Sequence, residues 1–212
     1  MRQLAPYLVS ALFIGASANS ALAISPVVDA FGEACLPVRL SFEKSKTHAE
    51  TIGWKLALES DDPELEKVME KSVAAANDPE NPDWKMAYNL YSKQANNKRL
   101  YLVMTRFYAP DVITLIGCYI YDFDASEPVE PEQVSALLKH KIAYSSLNKS
   151  GDAYADPAKI ITHVWGPPPS LPRQFDTYLS YIPKNSPLVE KTGFSGIVLK
   201  SSASEPRPEE TK

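Results

Sequence analysis

The chain has 212 residues, with 22 basic and 26 acidic side chains and a formal net charge of -4. That length can bury a sizeable core in one domain without dense disulfides. The mildly acidic balance, with no run of Lys and Arg to displace phosphate counterions, argues against nucleic acid as a partner.

The first 23 residues read as a secretory signal. Arg2 supplies a weak positive start, Leu4 to Ala18 an apolar stretch, and Ala21-Leu22-Ala23 the small residues of a cleavage site. An uncleaved anchor would need ~20 apolar residues, and Pro6 and Asn19 interrupt or border this stretch. A lipoprotein anchor needs a cysteine after the cleavage site, and Ile24 stands there. Cleavage removes Arg2 and no acidic residue, leaving the chain one unit more negative. No later segment approaches spanning length, so no stable membrane span is expected after the signal is removed. The expected location is periplasmic or secreted.

Beyond the signal, Ser25-Pro26 predicts a helix start, a capping side chain followed by a residue whose missing N–H is harmless there. That helix puts Val27, Phe31, Ala34, Cys35 and Val38 on one stripe and ends near Leu36, ahead of Pro37. A second helix is expected from Glu43 to Ile52, closed by Gly53 with Trp54 packed behind it. Asp62-Pro63 opens a third through Leu65, Val68, Met69, Val73 and Ala76, followed by a polar loop from Asn77 to Asp83. From Trp84 the period changes to two, with Trp84, Met86, Tyr88 and Leu90 on one face of a strand. Gln94 to Lys98 is read as a turn. Arg99 to Ala109 and Val112 to Phe123 read as a hairpin joined at Pro110-Asp111, with Cys118 sharing a face with Val112, Ile116 and Ile120. A helix follows from Glu130 to about Ile142, then strands over Ile160–Gly166, Gln174–Ile182 and Phe194–Lys200. Residues 143–159 form a long, weakly patterned loop.

The expected fold is therefore one α+β domain over residues 24–200, with N-terminal helices packed on one meandering antiparallel sheet and a helix inserted in it. Residues 201–212 are expected to form a disordered tail. Cys35 and Cys118, the only cysteines, are expected to pair, because an exported chain matures in an oxidising compartment. Closing a loop of roughly 80 residues removes on the order of 4 kcal/mol of unfolded-state freedom in the chain-entropy model. A redox role would favour a close Cys-x-x-Cys, which is missing.

Two short patterns invite a catalytic reading. Ser41-x-x-Lys44 and Lys191-Thr192-Gly193 match motifs of penicillin-recognising serine enzymes, with Ser146-x-Asn148 between them. Such patterns are cheap, however: Ser-x-x-Lys recurs at Ser146 and Lys149, and Lys44 to Glu50 is too polar for the buried helix those enzymes use. His48, His140 and His163 show no metal-ligand spacing, and the acidic residues from Asp122 to Glu132 lack that of a calcium loop. No metal or cofactor is expected.

Two features point instead to binding. Tyr101, Phe107, Tyr119, Tyr121 and Phe123 alternate onto the hairpin face opposite Cys118, which either serves as a ligand or partner surface or is covered by another element. The stretch Trp165-Gly-Pro-Pro-Pro-Ser-Leu-Pro-Arg173 reads as a stiff extended loop able to present Trp165, Leu171 or Arg173 to a partner, or simply as a rigid connection.

Phe31-x-x-x-Cys35 followed by Ala49-x-x-x-Gly53-Trp54 resembles the start of small exported alphaproteobacterial proteins of uncharacterised function. The resemblance covers about the first third of the chain beyond the signal. It implies an envelope location without implying any activity. The favoured functional expectation is a non-catalytic binding or protein-interaction module of the cell envelope, taking an envelope protein or a small apolar ligand. The alternative is an envelope-acting serine hydrolase using Ser41 and Lys44, or a carboxylate-histidine pair assembled only in three dimensions.

Overall fold

A computed structural model describes residues 24–77, 79–110, 112–146 and 160–206. The segment read as a signal, most of the 143–159 loop and the last six residues lie outside them.

Among the described residues two helices come first, α1 (Pro26–Ala34) and α2 (Phe42–Thr51). Ser25 stands at the start of α1, but its side chain does not cap; its backbone N–H donates to Gln133 Oε1 at 2.7 Å. Gly53 closes α2 at φ +85°, the left-handed conformation expected there, and Trp54 is buried behind it. A two-residue strand, β1 (Lys55–Leu56), and a 3-10 turn at Glu59–Asp61 lead into α3 (Pro63–Ala76), neither of them anticipated. Asp62 caps α3 by accepting from Glu64 N at 2.8 Å.

The strands β2 (Lys85–Ala95), β3 (Lys98–Ala109) and β4 (Ile113–Asp122) follow as a meander. The turn expected over residues 94–98 shrinks to Asn96-Asn97, both at positive φ, which matches the twist of a tight hairpin. Val112 falls before β4 and is exposed, so it does not share the core face with Cys118. Then come α4 (Pro131–Leu138), β5 (Tyr144–Ser145), β6 (Ile161–Trp165), β7 (Gln174–Ile182), α5 (Leu188–Thr192) and β8 (Gly196–Ser204). The last strand runs to Ser204, paired on both sides, so residues 201–204 belong to the sheet and not to a tail.

Among the described residues the sheet has eight strands in the order β1-β2-β3-β4-β8-β7-β6-β5, every pairing antiparallel. It is two meanders joined at β4 and β8 rather than one. One core cluster joins residues of α1, α2 and α4 to Leu102, Ile120, Leu179 and Leu199 of the sheet. A second joins Leu65, Val68 and Met69 of α3 to Leu90, Tyr101, Val103, Tyr121 and Val198. Because successive strand residues alternate, these clusters lie on opposite faces. Cys35, at the C-terminal end of α1, is bonded to Cys118 of β4 across 83 positions, with Cα atoms 5.7 Å apart and both residues buried. Among the described residues no helix is long and apolar enough to cross a membrane.

Candidate functional site

The aromatic face divides in two. Tyr101, Tyr121 and Phe123 are buried with α3 over them, so they are core and not surface. Their rings interlock: Tyr101 and Phe123 have centroids 5.4 Å apart, Tyr121 and Phe123 5.2 Å, and Phe194 meets Tyr121 edge-on at 5.5 Å. Burial pushes the Tyr121 phenol far above its ordinary range. Phe107 and Tyr119, further along the same face, are only partly covered. Phe107 packs edge-on against Trp84 at 5.4 Å, and the Tyr119 ring stacks near Tyr121 at 6.4 Å.

Between the C-terminal half of α3 and this end of the sheet runs a groove of about 330 Å³. Val68, Ser72, Ala75 and Ala76 form its helical wall, and Met86, Val103, Phe107, Leu115, Tyr119 and Tyr121 most of its floor. Thr105, Gly117 and Ser202 complete it. The volume falls near the lower end of the ~300–1,000 Å³ common for small-molecule sites, and the mostly apolar lining with a few hydroxyls fits that type. The Ser72 hydroxyl is occupied, donating to Val68 O at 2.7 Å.

Gly117 shapes the floor. A Cβ there would sit 2.4 Å from Thr105 Oγ1 and 2.7 Å from Tyr119 Cε2, so the Tyr119 ring lies back along β4 over the bare glycine. Burial raises the Tyr119 phenol above its ordinary 10.0, a hydrogen bond with Thr105 acting in the opposite direction.

A second hollow of about 650 Å³ lies between α1 and α4, floored by Val28, Gly32, Ala136 and Leu137 and rimmed by Asp29, Glu33 and Glu132. Its lining reaches Ile24, the first described residue.

The proline-rich stretch does not present Trp165. That indole is fully buried in the first core cluster, and its Nε1 donates to Ser135 Oγ at 2.9 Å. Nor is the stretch a straight rod: Leu171 N donates back to Pro168 O at 2.9 Å, and Leu171 packs against the core. Arg173 is exposed at φ +69°, at the turn into β7. Arg173 is not among the groove's lining residues, although its carbonyl accepts from Ser204 N, whose register partner Leu115 lines that groove.

The residues of the hydrolase reading are not brought together. Ser41 Oγ caps α2 by accepting from Lys44 N at 3.3 Å, and α2 packs on the first face of the sheet. Lys191 and Thr192 end α5, and Gly193 lies against Lys67 and Lys71 of α3, on the second face. Other serines near titratable groups are engaged as well: Ser135 Oγ donates to Pro131 O and Ser195 Oγ to Phe123 O. His163 is buried with Nδ1 unpaired, and burial lowers its pKa despite Glu132 and Glu130 nearby. Among the described residues no group of three or more His, Cys, Asp or Glu could hold a metal ion.

Sequence reasoning passed over Gly117, Thr105 and the α3 wall of the groove. A lone glycine inside an apolar strand pattern was the one available signal, since it marks a close approach. Comparison with known proteins returns no matching family model, no matching curated protein and no matching solved structure.

Proposed function

We propose that this chain is an exported, non-catalytic binding domain that takes a small, largely apolar molecule into the groove between α3 and the β3–β4 hairpin. The observation that carries the reading is the groove itself, an apolar trough whose floor leaves Phe107 and Tyr119 partly uncovered beside Thr105 and Ser202. Export is supported by the apolar segment ending Ala21-Leu22-Ala23 and by a disulfide, which an oxidising compartment maintains. The likeness of the Phe31–Cys35 and Gly53-Trp54 region to exported alphaproteobacterial proteins supports an envelope location.

The test uses N-phenyl-1-naphthylamine, a neutral apolar dye whose fluorescence rises out of water. The wild-type protein should bind it saturably at one site. Ala75→Trp places an indole at the mouth of the groove from an exposed position on α3, so it should abolish the signal while leaving the melting temperature unchanged. No saturable binding, or equal binding by the variant, would remove the groove as the site.

A further inference from the structure

Lys200 stands on β8 beside the groove. Its register neighbours are Tyr119 of β4 and Tyr178 of β7, and its Nζ lies 5.4 Å from the Tyr178 ring centroid. Two positions along the same face is Ser202, which lines the groove opposite Gly117. Lys200 has no ion pair and no hydrogen bond among the described residues, unlike Lys93, Lys98 and Lys184, each paired with a carboxylate. The nearest acid on β7, Asp176, instead accepts from Tyr178 OH at 3.3 Å. An ammonium laid over a tyrosine on a half-buried sheet face has given up part of its water without gaining a counter-charge. Its lowered pKa has that cause alone.

Resting on the groove reading, we infer that the bound molecule is a single-chain amphiphile with one carboxylate, its chain lying in the groove and its head held by Lys200 beside Ser202. One unpaired lysine balances one negative charge; a phosphate monoester brings ~1.5–2 and would leave part of it unneutralised. The apolar trough takes the chain, and the Ser202 hydroxyl stands on the β8 side of the floor, where the head must emerge. A bound carboxylate replaces the water Lys200 has lost and restores its ordinary basicity.

Displacement of N-phenyl-1-naphthylamine from the full exported chain separates the two readings. Decanoate should displace the dye about tenfold better than decan-1-ol, the scale of one charge-assisted hydrogen bond. In Lys200→Met, which keeps an apolar stem over Tyr178, dye affinity should be unchanged and the preference for decanoate lost; Lys200→Arg should retain it. Unchanged dye binding also shows that each variant is folded. Decanoate no better than decanol, a preference surviving Lys200→Met, or decyl phosphate outcompeting decanoate would each overturn the carboxylate assignment while leaving the groove in place. Failure of the dye to bind the wild type overturns both.

Discussion

Replacing both cysteines, Cys35→Ala with Cys118→Ala, measures how far the fold depends on its one covalent link. The bond ties the end of α1 to the middle of β4 and closes a loop of 83 positions, for which the chain-entropy model gives about 4.5 kcal/mol at room temperature. Both residues are buried, so losing the sulfurs adds a small cavity at each site, on the order of 1 kcal/mol apiece. The double variant should therefore lose about 6.5 kcal/mol, a large share of the ~5–15 kcal/mol a domain has. Guanidinium unfolding of oxidised wild type, of wild type refolded and held in reductant, and of the double variant separates the terms. Reduced wild type keeps both sulfurs and loses only the link. It should fall about 4.5 kcal/mol below the oxidised protein, with a steeper denaturant dependence because the unlinked chain unfolds to a more open state. A reduced protein within about 1 kcal/mol of the oxidised one refutes the loop-closure argument. It would also remove the physical reason for linking this fold to an oxidising compartment.

Three further outcomes follow from particular contacts. Ser135→Ala leaves the buried Trp165 Nε1 without an acceptor and should cost about 1–3 kcal/mol, read as a lowered denaturation midpoint. Ser41→Ala removes the α2 cap and should cost ~1 kcal/mol, and a penicillin-type acylating probe should label neither the variant nor the wild type. His163 has a folded-state pKa below its ordinary 6.5 because burial disfavours the charged ring. The unfolded chain then binds the extra proton first as pH falls. The His163 contribution is complete above the ordinary value and is lost progressively as pH drops from there toward the folded pKa. In unfolding titrations from pH 7.5 to 5, His163→Gln should flatten this slope; an unchanged slope assigns it to other groups.

Much of the architecture is legible along the chain. Pro26, Pro63 and Pro131 stand at the first positions of α1, α3 and α4, and Gly53 marks the end of α2, because local backbone constraints act there regardless of tertiary context. The strict alternation from Arg99 to Phe123 placed Tyr101 and Tyr121 opposite Cys118, since the strand period is a property of the chain itself. The reach of β8 was not legible. Ser201 to Ser204 look like a polar tail, and they form a strand because β4 and β7 offer open hydrogen-bonding edges on both sides.

The amino-acid order by itself determined the presence and polarity of most helices and strands, the two-faced pattern of the hairpin, and a cysteine pair suited to an oxidising compartment. Those follow from local sterics, side-chain period and composition. Only the tertiary structure decided which face α3 covers, so that Tyr101, Tyr121 and Phe123 became core while Phe107 and Tyr119 stayed partly open. It likewise turned Trp165 inward onto Ser135, kept Ser41 and Lys191 on opposite sides of the sheet, and set Lys200 between two tyrosines without a counter-charge. These are contacts between residues far apart along the chain. Their selection depends on how helices and strands share buried area, which no local pattern encodes.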